Sequence, residues 1–258
     1  MTTTLDIASR DLPAAPPVVD LATWDAAREE LLVREKAHTR EGDAIAAARR
    51  RMPMTEVPSD LTVVGPDGEV PFGAVFEGRD ELVVYTHMFH PGEPWEWQCE
   101  GCTRNTFFMR HAADACYLNA NGITFAILGD GPYEELAAFR DFMGHTTPWY
   151  SIAGVDHPAV GVTGRIACYL RRDDRIHLTY WITARGDEVM SPSFGLLDMT
   201  VYGRREAWED SPDGWPQHPT HSVLRTDEHG AFMGPRNGGR PTPQWTRPGA
   251  TPVGDDRR

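Results

Sequence analysis

The stretch that decides the fold is Glu81-Leu82-Val83-Val84-Tyr85-Thr86-His87-Met88-Phe89, followed by a loop over 90–98 and by Cys99-Glu100-Gly101-Cys102. The run Leu82-Val83-Val84-Tyr85 is apolar at consecutive positions, as a strand buried on both faces requires. The residues after Cys99 read as a helix over 102–119. A buried strand, a loop, and two cysteines spaced by two residues at a helix start form a chemically loaded arrangement. Unpaired backbone N–H groups and the positive end of the helix dipole favour thiolate over thiol. The two-residue spacing lets the second sulfur fold back and resolve a mixed disulfide on the first. Cys99 is therefore the expected attacking thiolate and Cys102 the resolving thiol. The carboxylate of Glu100 opposes ionisation beside it.

Outward from this stretch, residues 123–128 form a second continuous apolar run of strand type, and 134–143 read as a helix stopped by Gly144. Residues 166–170 and 176–182 flank Arg172-Asp173-Asp174, a hairpin signal. Residues 194–202 read as a last helix. Upstream, a helix capped by Thr23 is expected to run to about Arg51, with Trp24, Ala27, Leu31 and Arg34 at helical spacing. Residues 63–65 and 70–72 form a hairpin around Pro66-Asp67-Gly68. The first two strands, joined through a helix, should be parallel, and the hairpin adds antiparallel strands. The expected architecture is an α/β mixed sheet covered by helices. Residues 1–20 read as a flexible lead-in, 21–216 as one domain with an N-terminal helix, and 217–258, rich in Pro, Gly, Arg and Thr, as an irregular or disordered tail.

The balance of 25 basic against 38 acidic residues in 258, a formal charge of −13, opposes a nucleic-acid face. The longest basic run, Arg49-Arg50-Arg51, reads as a solvated helix end. No apolar run is long enough for a membrane span, and residues 1–10 lack the apolar core of a secretory signal. Four cysteines in a chain of this length do not make a disulfide scaffold, so a reducing cytoplasm is expected. Cys116 and Cys168 read as small buried residues.

Metal binding is the rival reading. His87 ends the apolar strand, and His90 opens the loop that returns to the cysteines. Cys99 and Cys102 with His90 and His87 would suit copper or zinc. Trp95 and Trp97, with Trp149 and Tyr150, would then line a flat apolar pocket for an aromatic substrate of an oxidase or oxygenase. The same aromatics also fit plain core packing. A third reading is a non-catalytic metal- or protein-binding module. Gly129-Asp130-Gly131-Pro132 lacks the ending of a phosphate loop, and no nucleophile elbow occurs.

Several words of the sequence resemble a known family. They are Gln98-Cys99-Glu100-Gly101-Cys102-Thr103, Gly131-Pro132-Tyr133-Glu134-Glu135, Arg140-Asp141-Phe142-Met143-Gly144 and Pro148-Trp149-Tyr150-Ser151, then Leu196-Leu197-Asp198, Val201-Tyr202-Gly203-Arg204 and Trp208-Glu209-Asp210-Ser211-Pro212. Over about 24–216 the chain resembles the bacterial thioredoxin-like proteins grouped as domain of unknown function 899. The resemblance implies a thioredoxin-like fold and a cytoplasmic dithiol–disulfide oxidoreductase, in some members beside natural-product pathways. The dithiol chemistry requires no cofactor. Its substrate would be a small-molecule or protein disulfide, and the oligomeric state is left open. Two departures stand out. Members often carry a second histidine three residues after His90, where this chain has Glu93. Thioredoxins carry a proline before the third core strand, where this chain has Gly164 and Arg165.

Overall fold

The computed structural model describes residues 14–206 and 208–215. The tail expected over 217–258 lies outside them, as do residues 1–13. The element order is α1 (Leu21–Arg49), β1 (Thr55–Val57), β2 (Thr62–Gly65), β3 (Gly68–Pro71), β4 (Glu81–His87), α2 (Glu100–Phe108), α3 (Cys116–Ala120), β5 (Ile123–Gly129), α4 (Tyr133–Met143), β6 (Trp149–Ser151), β7 (Arg165–Arg172), β8 (Arg175–Thr183) and α5 (Pro192–Asp198), with short 3-10 turns between. The strands form one sheet in the order β1-β8-β7-β4-β5-β6-β2-β3. β4 and β5 are parallel, as are β5 and β6, while β7 runs antiparallel to β4 and β8 antiparallel to β7.

The central order β5-β4-β7-β8, with α2 between the parallel pair and α4 before the antiparallel pair, is the thioredoxin-like connectivity. β4 sits inside the sheet because both of its faces are covered. Leu82 and Val84 enter one core with Ala126, Leu128, Ala167 and Tyr169. Tyr85 enters the other with Phe125, Ile127, Phe139, Trp149 and Cys102. Alternation along the strand thus puts Tyr85 and His87 on the cysteine face. Thr86 faces away, exchanging hydrogen bonds with the backbone N–H and C=O of Arg165, both 3.1 Å.

Three expectations are corrected. The cap of α1 is Asp20, whose carboxylate accepts from Thr23 N–H at 2.9 Å; Thr23 lies inside the helix. That helix buries none of its residues. The helix expected over 102–119 breaks after Phe108. No glycine or proline announces the break. It occurs because the amides of Thr146 and Thr147 take the Arg110 carbonyl at 2.7 and 3.0 Å, and the Thr147 hydroxyl takes that of Met109. A new turn then starts on a reciprocal pairing of His111 with Asp114. The last helix stops at Asp198 and does not reach Tyr202.

The hairpin expected around Asp173-Asp174 forms, with φ of 52° and 58° at those residues, the left-handed pair that a two-residue hairpin turn requires. The loop from Ile152 to Gly161 closes tightly: Val155 N–H donates to Ile152 O, and Gly161 N–H to His157 O at 2.8 Å. A Cβ on Gly161 would overlap the Val155 carbonyl oxygen, which is backbone and cannot rotate away. Gly161→Ala is therefore expected to lower stability by about 1–3 kcal/mol. The check is a lower urea midpoint with an unchanged denaturant slope.

Candidate dithiol site

Cys99 is the N-cap of α2, with φ −57° and ψ 119°. The first turn closes on its carbonyl, which accepts from the Thr103 amide at 2.9 Å and the Thr103 hydroxyl at 2.8 Å. Cys102 lies one turn on and is 2 % exposed. No bond joins the two sulfurs in this structure. The Cys102 sulfur rests on the end of β4: the Tyr85 hydroxyl and the Met88 amide each donate to it at 3.3 Å. Burial holds the Tyr85 hydroxyl far above its ordinary pKa, so it remains a donor.

The two sulfurs are driven apart electrostatically. The Cys102 thiol, acting as a hydrogen-bond donor to Cys99, lowers the Cys99 pKa to about 7, helped by the Cys102 and Gly101 amides. Burial and the Glu100 carboxylate act the other way. Cys102 is pushed well above its ordinary value, first by its interaction with Cys99 and then by burial. The outer sulfur therefore ionises near neutrality and the inner one stays protonated.

The loop before the cysteines is held by Gln98, which is fully buried. Its side-chain oxygen accepts from His90 N–H at 2.8 Å, and its side-chain amide donates to the carbonyls of His90, 2.9 Å, and Glu93, 3.3 Å. The Phe89 and Gly92 amides are tied to Asp130 and Glu135 at 2.6 and 2.7 Å. Behind α2, Arg104 and Asn105 hold Asp187 at 3.1 and 2.9 Å. Sequence reasoning did not find Gln98, Tyr85 or Asn105. The only signal was that a polar Gln98 directly precedes the motif.

The structure does not gather the remaining expected site residues. His87 is buried among Trp149, Phe139 and Phe89, with ring centroids 5.2, 5.7 and 6.4 Å away. Both of its ring nitrogens lack a hydrogen-bond partner. Burial lowers its pKa to about 3, so it is neutral imidazole. His90 presents its backbone to Gln98. Among the described residues no group of three or more His, Cys, Asp or Glu side chains stands together as a metal-binding set. Cys99, Cys102, His90 and His87 therefore do not form the expected ligand cluster.

The aromatic pocket is also corrected. Trp149 is 1 % exposed and packs on His87, Phe139 and His145 in the core. Tyr150, the next residue along β6, necessarily points to the opposite face and packs against the other core. Trp95 leans on Phe139 and Phe142, 5.7 and 6.0 Å away, and Trp97 is partly exposed. Only Trp95 and Trp97 belong to the turn that precedes Cys99. Cys116 is exposed rather than buried. Cys168 is half-buried, and burial pushes its thiol up to about 11.

No helix among the described residues is long and apolar enough to cross a membrane. No curated protein matches the chain. Solved structures that align with it include a protein assigned as the thiol:disulfide interchange protein DsbE of Chlorobium tepidum. That alignment has 14% identity, covers 55% of this chain and 95% of that one, and has a TM-score of 0.36. A thioredoxin of Wuchereria bancrofti aligns at 13% identity over 54% of this chain and 90% of that one, with a TM-score of 0.33. A family model described as a bacterial protein of unknown function matches residues 13–228. The chain belongs to that family, DUF899.

Proposed function

We propose that the protein is a thiol–disulfide oxidoreductase in which Cys99 attacks and Cys102 resolves. The observation that carries this reading is the asymmetry of the pair. The Cys99 thiol is lowered to about 7 at a helix start, while Cys102 is buried and held protonated against Tyr85 and Met88. In the first step the Cys99 thiolate attacks one sulfur of a substrate disulfide. The Cys99–substrate bond forms, the substrate disulfide breaks, and the departing thiolate takes a proton from solvent. In the second step Cys102 loses its proton and attacks Cys99, releasing the second substrate thiol. Two electrons pass from the dithiol to the substrate.

The substrate class in this proposal is a small-molecule or protein disulfide, and the setting is a reducing cytoplasm. The test is alkylation of the reduced protein by iodoacetamide as a function of pH, with the modified residue identified by peptide mass. Cys99 should react first, with a midpoint about 7, below the free-cysteine value of about 8.5. Faster labelling of Cys102, or a folded protein in which neither reacts, would overturn the assignment. Stoichiometric copper or zinc on protein purified under reducing conditions, together with no disulfide exchange, would replace this reading with the metal one.

A further inference from the structure

At the end of the sheet where β4 finishes, on the face turned away from the cysteines, a pocket of about 400 Å³ is lined by Pro158, Val162, Thr163, Arg165, Trp181 and Thr183. Its floor is an unusual residue for such a place. Arg165 is 4 % exposed. Its Nη2 donates to the Pro158 carbonyl at 2.8 Å, and its guanidinium carbon lies 5.7 Å from the centre of the Trp181 ring. Its Nε is buried without a partner. The groups around it are neutral: a carbonyl, an indole and the phenol of Tyr169. No ion pair to Arg165 occurs among the described residues.

A guanidinium does not shed its proton in a protein, so burial cannot neutralise it as it would a lysine. A buried charge needs a counter-charge, and none pairs with Arg165 among the described residues. The rim above it is apolar, with Val162 and Trp181 46 % and 50 % exposed. A single cation with a free donor suits a singly charged, planar acceptor, which is the geometry of a carboxylate. The exposed indole and valine suit an apolar body attached to it. We propose that this pocket binds an organic carboxylate, with the carboxylate on Arg165 and its apolar portion against Trp181 and Val162.

The site is separate from the dithiol. Alternation along β7 turns Arg165, Ala167 and Tyr169 away from Ile166, which belongs to the cysteine-side core. Gly164, just before Arg165, donates its N–H to the Thr86 carbonyl at 2.7 Å. The proposal therefore does not depend on the redox reading.

The test is calorimetric titration of the full chain with phenylacetate, with phenylacetamide as its neutral counterpart. A tripeptide Ala-Ala-Phe is compared with its C-terminal amide, so that a free acid is distinguished from a chain terminus. Saturable one-to-one binding of phenylacetate is expected, with Kd on the order of 1 mM or tighter for so small a ligand. Phenylacetamide should bind at least about 10-fold more weakly, given the loss of the charge-assisted pair. Binding of the free tripeptide but not its amide would extend the site to chain termini.

Arg165→Gln should abolish binding. Because a buried change can disturb folding, Thr183→Glu serves as the second variant. Thr183 is the exposed cross-strand partner of Arg165, so a glutamate there supplies the missing counter-charge from within the chain. It too should abolish phenylacetate binding, while Cys99 alkylation stays as in the wild type. Absence of saturable binding by the wild type, equal binding of the amide, or binding that survives Thr183→Glu would overturn the proposal.

Discussion

Replacing Cys99 with serine is expected to bring disulfide exchange down to the background rate, a loss of at least about 100-fold, because a hydroxyl is neither ionised near neutrality nor able to form the mixed disulfide. Cys102→Ser should fail differently. Its Cys99 still attacks, but nothing resolves the product, so the variant should accumulate a stable mixed disulfide with its substrate. Cys102→Ala, which leaves no donor in place of the thiol that donates toward Cys99, should raise the Cys99 midpoint from about 7. Reduction of insulin by dithiothreitol, with and without each variant, reads the rates; non-reducing mass analysis reads the trapped adduct. Equal activity of wild type and Cys99→Ser would remove Cys99 from the chemistry.

The second large effect is acid instability. His87 and His145 are both held neutral, with pKa values lowered to about 3, by burial first and then by neighbouring basic side chains, His145 and His90 for His87 and Arg110 and His111 for His145. Neither ring has a hydrogen-bond partner on its nitrogens. The unfolded chain protonates these rings near 6.5, whereas the folded one does so only near 3. Between those values the unfolded state binds more protons, so stability falls as pH falls, by up to about 1.4 kcal/mol per pH unit for each ring. By pH 5 this amounts to about 2 kcal/mol per histidine, a large share of an ordinary domain's stability. Asp187 and Glu206, raised by burial, act in the opposite sense as they take up protons, which limits the loss at the acid end. Urea midpoints at pH 7.5 and pH 5 check the slope, and a His87→Leu, His145→Leu double variant should flatten it. A midpoint that does not move over this range in the wild type would contradict the buried neutral pair.

The parts of this fold legible in sequence are those where one stretch of chain fixes its own environment. Leu82-Val83-Val84-Tyr85 and the run from Ile123 to Leu128 are apolar without alternation, so each reads as an interior strand, and they pair in parallel. The helix start at Cys99 was legible for the same reason: a strand, a loop and a polar first turn follow in order. β6 was not, because three residues, Trp149-Tyr150-Ser151, become a strand only by reaching β5. Once that strand is recognised, period-two alternation alone separates Trp149 from Tyr150 and dissolves the shared aromatic pocket. The break after Phe108 was hidden because its cause lies in Thr146 and Thr147, far along the chain. Tyr85 and Gln98 were hidden likewise. A tyrosine in an apolar run announces burial, not a hydroxyl aimed at a sulfur, and Gln98 acts through carbonyls that only the folded loop brings to it.

The central claim is that Cys99 and Cys102 cycle as one dithiol–disulfide pair. It is tested most directly by equilibrating the protein across a series of reduced and oxidised glutathione ratios, blocking free thiols, and mapping the products by peptide mass. The account predicts a single reversible two-electron transition in which the peptide holding Cys99 and Cys102 loses two hydrogens, while Cys116 and Cys168 remain outside the bond. A transition that leaves that peptide reduced, or a bond that joins Cys99 to Cys116 or Cys168 instead, would contradict it.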